Sequence, residues 1–284
     1  MTTWIRRTGV ATMFAAMALT AQAQAVLKVA MAPDASPADQ AARFEPLGKF
    51  FEQRFKMRVK WVPVASEAFA IRALVTREAD LVWLNGLSYV QAVKRSGNQV
   101  TPLVQREEDQ KARSVFITGA ATGIKKLQDL KGRTLSLGPV SSTSDYLMPR
   151  SALVSAKVRL DADLKALSPA ANAQAVVAAV ATGKADAGAL SQEVWDQMVA
   201  AKQVDPAAVK VFFTTPPYTD HTWVTLSDVP EGTTKAIAGA FLVLEAVGGG
   251  RAILKQQGAH RFVETKPASY DPIRAAATEA GLNQ

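Results

Sequence analysis

The sequence contains no cysteine and only two histidines, His221 and His260. Without cysteine the chain has no disulfide bond, no thiol nucleophile and no cysteine that a lipid anchor would modify. Two histidines without cysteine also argue against the usual His/Cys transition-metal sites. Proteins that depend on a cysteine nucleophile are therefore excluded, and a metal centre of this kind is not expected.

Motifs of the common enzyme classes are also missing. The sequence has no glycine-rich nucleotide loop, no zinc-protease pattern and no nucleophile elbow. Ser144, His221 and an acid would supply the residue types of a triad, but a single histidine says nothing about geometry. We predict that the chain is not an enzyme, and turnover of a bound ligand would contradict that prediction.

Positive charge is in mild excess and is not concentrated. The formal net charge is +8, and clusters such as "GIKKLQDLKGR" lack the interleaved aromatic residues of nucleic-acid sites. These clusters are typical of solvated helix faces. We therefore expect no nucleic-acid partner, while the weak positive field is consistent with an anionic ligand.

Long apolar runs are lacking except near the start of the chain. Residues 1–25 contain Arg6 and Arg7, then an apolar run from Val10 to Leu19, then two Ala-Gln-Ala repeats. This is the three-part pattern of a secretory signal, with cleavage predicted after Ala23 or Ala25. A membrane anchor is the alternative, but a span needs about 20 apolar residues. We predict an exported, periplasmic protein that carries no lipid anchor.

After residue 25, short β-branched runs alternate with amphipathic segments. The pattern predicts an α/β fold with largely parallel sheets. Strands are predicted at "VLKVAM", "RVKWVPV", "ADLVWL", "VTPLVQR", "TLSLG", "VFFTTPPY" and "TWVTL" and at the end of "ANAQAVVAAVATGKADAGAL", and "SVFITGA" is a further apolar run. The pattern starts afresh near 114–120 and again near 211–219. Two restarts predict a chain that crosses twice between two lobes. The first lobe combines 26–115 with 219–284, the second is 116–218, and the cleft between them holds a ligand.

The stretch "SLGPVSSTSDYLMPR" gathers polar residues where a strand is predicted to give way to a helix. They are Ser142, Thr143, Ser144 and Asp145. The first N–H groups of a helix lack internal partners, and the helix dipole makes this end positive, so hydroxyls there suit an oxyanion. Ser142-x-x-Asp145 also fits a capping box. Spacing alone favours the cap, because capping is so common, but both interpretations stay open.

Four segments carry a resemblance to a known family: "ADLVWLNGLSYVQA", "DLKGRTLSLGPVSSTSDYLMPR", "GKADAGALSQEVW" and "TPPYTDHTW". Through them the chain resembles the phosphonate-type substrate-binding proteins of bacterial ABC importers over essentially its whole length after residue 25. The resemblance implies the two-lobed type II periplasmic binding protein fold, with two hinge crossings and the ligand in the interlobe cleft. It implies a monomer without cofactor that captures a small oxyanion (phosphonate, phosphite, phosphate or a related anion) by lobe closure. The ligand then passes to a membrane permease with its ATPase.

The resemblance also implies roles for particular residues. The family's Ser-Thr-Ser grips the phosphonate group, which implies that role for Ser142, Thr143 and Ser144. Family acids that meet the ligand's amine correspond to Glu193 and Asp220. From the residues alone, Glu193 is a solvated residue in the first turn of a helix and Asp220 is a turn residue.

Other positions depart from the family or stay ambiguous. Two pocket tyrosines of the family correspond to Glu67 and Ala112, and a pocket histidine corresponds to Ala173. Arg113 lies beside the expected cleft and is a candidate for a forked contact to an oxyanion, although a surface arginine is an equal alternative. Tyr89 is a candidate to face the cleft, with the core as the alternative.

Asp145 replaces the glycine that usually follows the family's Ser-Thr-Ser. A subgroup provisionally labelled selenate-binding matches better in the tail and in "DAGALSQEVW". Selenate and sulfate carry no proton near neutral pH, so an Asp145 carboxylate in the pocket favours hydrogen phosphate, phosphite or a phosphonate. If Asp145 only caps its own helix, this objection to selenate weakens.

A second function is compatible with the same sequence. A binding protein of this fold also serves as a sensor when it presents its ligand to a membrane histidine kinase. The sequence of the binding protein does not separate the importer from the sensor.

Overall fold

The computed structural model describes residues 26–32 and 37–283. The predicted signal segment, residues 1–25, lies outside the described residues. Within the described ranges, none of the helices combines the length and the apolar character that a membrane span needs.

Strands and helices alternate along most of the chain, as the sequence pattern predicts. The strands are β1 (Val26–Met31), β2 (Arg58–Trp61), β3 (Leu81–Leu84), β4 (Val100–Arg106), β5 (Ser114–Gly119), β6 (Thr134–Leu137), β7 (Ala166–Pro169), β8 (Ala187–Ser191), β9 (Val209–Thr214), β10 (Thr222–Leu226) and β11 (Phe262–Glu264). The helices are α1 (Pro37–Phe55), α2 (Glu67–Val75), α3 (Gly86–Arg95), α4 (Met148–Ser155), α5 (Ala173–Ala181), α6 (Gln192–Ala200), α7 (Glu231–Leu242), α8 (Gly250–Gln256) and α9 (Asp271–Glu279).

The strands form two separate sheets, each of which is the centre of one lobe. The first has the order β11-β4-β10-β3-β1-β2, and the second has the order β7-β6-β8-β5-β9. We call the two sheets with their helices the first lobe and the second lobe. The architecture is the α/β, two-lobed arrangement that the sequence predicts.

Both sheets are mixed, so the prediction of largely parallel sheets is wrong. β1 runs parallel to β2 and β3, but β10 runs antiparallel to β3 and β4. In the second sheet β5 runs antiparallel to both β8 and β9. Parallel neighbours need a crossover connection, usually a helix. β5 instead enters the second sheet directly from the first lobe, through residues 107–113 and without a crossover α-helix.

Helices cover both faces of the first sheet, and the strands supply both cores by alternation. Val29 packs among the side chains of α1, α7 and α8, whereas the next residue, Ala30, packs against α2, α3 and α9. In β3, Leu81 lies in the same core as Val29, and the next residue, Val82, lies in the same core as Ala30. Successive strand residues point to opposite faces of a sheet, so a continuous apolar run is what a sheet with two covered faces requires.

The second lobe repeats this arrangement at smaller size. Ile117 contributes to a core with α5 and α6, and its neighbour Phe116 contributes to a core with α4. Gly188 in β8 lets α5 approach the sheet closely, because an added Cβ would lie 2.5 Å from a methyl group of Val176. A side chain at this position would therefore displace α5.

Two connecting segments, residues 107–113 and 215–221, join the sheets. A short 3₁₀ turn, Glu107–Lys111, opens the first of them. The segments are hydrogen-bonded to each other, since the N–H of Tyr218 donates to the Ala112 carbonyl and that of Asp220 to the Asp109 carbonyl, each at 2.9 Å. The lobe boundaries drawn from the sequence, 26–115 with 219–284 and 116–218, remain a prediction about which residues move together.

Candidate functional site

The hydroxyl-rich stretch forms the start of a helix, directly after β6. Residues Thr143–Leu147 make one π-helical turn, and α4 continues from it. The Ser142 Oγ accepts a hydrogen bond from the Asp145 N–H at 3.0 Å. One of the two sequence interpretations, a helix cap at Ser142, is thus what the structure shows, and π turns of this kind are frequent at functional sites.

The next two hydroxyls point out of the second lobe. Thr143 is 1% exposed, and its Oγ1 accepts from the Leu87 N–H at 2.9 Å and donates to the Asn85 Oδ1 at 3.1 Å. Ser144 is 8% exposed, and its Oγ donates to the Asp220 Oδ2 at 2.6 Å. The hydroxyl cluster therefore faces the first lobe and the second connecting segment.

Asp220 bridges the two helix starts. Its Oδ1 accepts from the Gly86 N–H at 3.0 Å, at the beginning of α3, while its Oδ2 accepts from Ser144. The side chain is buried, with 2% of the residue exposed. Neutral donors from both lobes thus converge on one carboxylate, and the structure brings Asp220 together with the serine–threonine cluster.

Asn85 and Glu67 complete the first-lobe side of the site, and Asn85 was not among the residues predicted from the sequence. The Asn85 Nδ2 donates to the Glu67 Oε1 at 2.9 Å and to the Ser141 carbonyl at 3.1 Å. Its Oδ1 caps α3 by accepting from the Ser88 N–H at 2.9 Å. Burial raises the pKa of Glu67, whose Oε2 accepts from the Ser88 hydroxyl. The sequence feature that could have identified Asn85 is its position between a predicted strand and a predicted helix, where asparagine is a common cap.

Asp145 reaches the start of α6 and does not complete the capping box that its spacing from Ser142 suggested, because the Ser142 N–H donates elsewhere. Its Oδ1 accepts from the Ser191 N–H at 2.8 Å, at the beginning of α6, whereas the Ser142 N–H donates to the Pro139 carbonyl. Burial raises the pKa of the Asp145 carboxyl to about 6. The close approach needs Gly138, where an added Cβ would lie 2.5 Å from the Asp145 Cβ.

His221 supplies positive charge beside this cluster. Its ring stacks on Trp83 at a centroid distance of 5.5 Å, and its Nδ1 lies 3.4 Å from the Asp109 Oδ1 and 3.7 Å from the Asp220 Oδ2. Burial alone would lower the pKa of His221, but the Asp220 and Asp109 carboxylates raise it to about 9. His221 is therefore an imidazolium at neutral pH. From the sequence, His221 was considered only as a member of a triad.

The other predicted residues lie apart from the hydroxyl cluster or in the core. Glu193 accepts from Arg106, at 3.1 Å in its shorter contact. Arg113 donates to the Thr215 carbonyl at 2.7 Å, within the connecting segments. Tyr89 is 1% exposed and packs against Tyr270 with ring centroids 4.5 Å apart, so it is a core residue.

The arrangement suits anion binding by hydroxyl and backbone N–H groups. Such donors hold an oxyanion at a helix start without a full positive charge. The His221 imidazolium places a full positive charge nearby. In the part of the chain that the structure describes, no group of three histidine, aspartate or glutamate side chains is placed to bind a metal ion.

Known proteins that are similar to this chain identify its family. Residues 29–270 match the family described as the periplasmic substrate-binding protein of the phosphonate ABC transporter. The probable ABC transporter phosphite-binding protein PhnD1 of Prochlorococcus marinus (strain MIT 9301) is 31% identical over 260 residues, covering 87% of each chain. The phosphate-import protein PhnD of Mycolicibacterium smegmatis is 26% identical over 195 residues, which is 65% of this chain and 59% of that protein.

A solved structure shows the same fold. The structure of Prochlorococcus marinus PhnD1 in complex with methylphosphonate superposes with a TM-score of 0.80 at 29% identity. The match covers 90% of this chain and 98% of that one. The chain therefore belongs to the phosphonate-type periplasmic substrate-binding proteins of ABC transporters.

Proposed function

We propose that the protein binds a small phosphorus oxyanion at the Ser142, Thr143 and Ser144 turn, between the two lobes. The observation that carries the proposal is the contact between the Ser144 Oγ and the Asp220 carboxylate, at 2.6 Å. The turn already holds one oxyanion, a carboxylate of the same chain, by a short charge-assisted hydrogen bond. PhnD1, which is similar over most of this chain, is a probable phosphite-binding protein with a methylphosphonate complex.

The carboxyl groups around the turn favour a ligand that carries a proton. Asp220 bonds Ser144 directly, and the Asp145 carboxyl is buried with its pKa raised to about 6. A carboxylate accepts a hydrogen bond from a P–OH group but meets only lone pairs on sulfate or selenate. We therefore expect phosphite, hydrogen phosphate or a methylphosphonate monoanion to bind more tightly than sulfate or selenate.

Capture follows from movement of the lobes about the connecting segments 107–113 and 215–221. A ligand that contacts both lobes favours the closed form, because it binds that form more tightly. The exported protein, cleaved after Ala23 or Ala25, then acts as a monomer that presents the ligand to a permease and its ATPase. Binding and release without chemical change of the ligand make the protein a carrier.

The test is isothermal titration of residues 26–284 with a panel of anions. The panel comprises phosphate, phosphite, methylphosphonate, 2-aminoethylphosphonate, sulfate and selenate. We expect binding of phosphorus oxyanions and little heat from sulfate or selenate. Tight selenate binding would contradict the preference for a ligand that carries a proton. Absence of binding for all six anions would contradict the proposed function.

A further inference from the structure

Arg106, the last residue of β4, is held rigidly within the first lobe. Its Nε and Nη2 donate to the two carboxylate oxygens of Asp109, at 2.7 and 2.9 Å, and its Nη1 donates to the Gly258 carbonyl at 3.2 Å. The arginine side chain is only 12% exposed. Burial alone would raise the pKa of the Asp109 carboxyl, but the hydrogen bonds and charge of Arg106 outweigh burial and lower the pKa to about 2, so both groups are charged.

Glu193, in the first turn of α6, reaches Arg106 from the second lobe. Its Oε1 and Oε2 accept from the Arg106 Nη1 and Nη2, at 3.3 and 3.1 Å. The Gln197 Nε2 of the same helix also donates to the Oε1 at 3.2 Å. The Glu193 side chain is 40% exposed, so the ion pair lies at the edge of the lobe interface and is open to solvent on one side.

We propose that the Arg106–Glu193 ion pair is a closure clamp, a contact between the lobes that favours the closed form whatever ligand is bound. The inference rests on the proposed function, because closure is the step that retains the ligand. Arg106 stays with Asp109 and Gly258 when the lobes separate, so opening breaks only its bonds to Glu193. Both Glu193 oxygens meet a fixed guanidinium, and a ligand ammonium would have to compete with it.

The clamp assigns Glu193 a positioning role, with a consequence for ligand affinity. The apparent affinity of a binding protein falls in proportion to the fraction of molecules that are competent to hold the ligand. A partly exposed ion pair has a modest effect, so removing it weakens binding by roughly two- to fivefold. The same factor applies to every ligand, because the clamp does not touch the ligand.

The experiment compares the wild-type protein with Glu193→Gln by titration with phosphite, methylphosphonate and 2-aminoethylphosphonate. We expect Glu193→Gln to weaken all three by the same factor. Raising KCl to about 0.5 M, which screens exposed charges, should bring the wild-type affinity toward that of the variant. Glu231→Gln is the matched control. Glu231 pairs with Lys235 at 2.7 Å within α7, so this substitution removes a paired carboxylate without affecting the lobe interface.

Two results would overturn the proposal. Weaker binding of 2-aminoethylphosphonate alone would make Glu193 a contact for the ligand's amine, and unchanged affinity for all three would make the ion pair inert. Small-angle X-ray scattering without ligand gives an independent reading, because Glu193→Gln should increase the radius of gyration and Glu231→Gln should not. If no phosphorus oxyanion binds, the proposed function fails, while scattering still decides whether the clamp exists.

Discussion

Two helix starts face each other across the lobes, and they supply different kinds of donor. Asn85 caps α3 and Ser142 caps the turn before α4, each through a side-chain oxygen. The start of α3 then gives its backbone N–H groups to partners elsewhere, Gly86 to Asp220 and Leu87 to Thr143. The opposite turn offers side-chain hydroxyls. An anion between them would meet rigid backbone donors on one side and rotatable hydroxyl donors on the other.

Removing the rotatable donors should have the largest effect on binding. We expect Thr143→Ala with Ser144→Ala to weaken phosphite binding by several kcal/mol at most, because each hydrogen bond to a charged group contributes about 1.5–3 kcal/mol. Titration calorimetry measures the loss. Ser227→Ala is the control, since its hydroxyl bonds Thr101 on an exposed surface. Unchanged affinity in the double variant would show that Thr143 and Ser144 do not bind the ligand.

Asp145→Asn tests the acid on the hydroxyl side through the pH dependence of stability. The pKa of Asp145 is raised from 3.8 to about 6 in the folded protein, so the folded state binds the proton more tightly. Its carboxyl therefore costs no stability below pH 3.8, and the cost develops as the pH rises through 6. We expect the variant to gain on the order of 1–3 kcal/mol at pH 8 and little at pH 4, measured by thermal unfolding.

A control of opposite sign accompanies this measurement. The hydrogen bond from Arg77 lowers the pKa of Asp228, an exposed carboxyl. Asp228→Asn should therefore lose stability at pH 8 and change little at low pH. A gain for Asp145→Asn that does not depend on pH would contradict the burial of a charged carboxyl at that position.

Asn85→Ala tests the backbone side of the comparison. Loss of the cap should lower stability by about 1 kcal/mol. The contacts of Asn85 with the Ser141 carbonyl and Thr143 also join the lobes, so ligand affinity should fall as well. Asn172→Ala removes an equivalent cap from α5, where the Asn172 Oδ1 accepts from the Ala175 N–H at 2.9 Å. Equal effects of both variants on affinity would contradict a special role for Asn85.

The smallest effect is expected at Tyr89. Tyr89→Phe should leave ligand binding unchanged and alter stability by about 1 kcal/mol or less, because the ring packs within the core and stays there. Tyr218→Phe is the contrasting variant, since its hydroxyl bonds the Ser114 Oγ at 2.8 Å beside the connecting segments. A clear loss of ligand affinity in Tyr89→Phe would contradict the assignment of Tyr89 to the core and support a contact with the ligand.

Local patterns predicted the elements well, and they predicted the pairings between lobes poorly. "VTPLVQR" and "TWVTL" match β4 and β10 residue for residue, because alternation and β-branched residues act within a single strand. β7 and β11 were missed, and both lie at the edge of a sheet. β7 is largely exposed and ends in Pro169, and β11 has only three residues, so neither shows the apolar run of a buried strand.

The site shows the same limit. The cap at Ser142 is local and was among the predicted alternatives, whereas the bond between Ser144 and Asp220 joins residues 76 positions apart. That contact depends on how two lobes close, which no short segment encodes. The resemblance to the family drew attention to Asp220, but the partners of Asn85 and the pairing of Glu193 with Arg106 became visible only in three dimensions.

The paired connecting segments have a mechanical consequence. Ala112 and Tyr218 hold the two segments together, with Asp109 and Asp220 adding a second bond between their backbones. Two links that are tied to each other bend together about one axis and resist twisting about the other two. We therefore expect opening and closing to follow a single path, with each closing event returning the same hydroxyls to the same N–H groups.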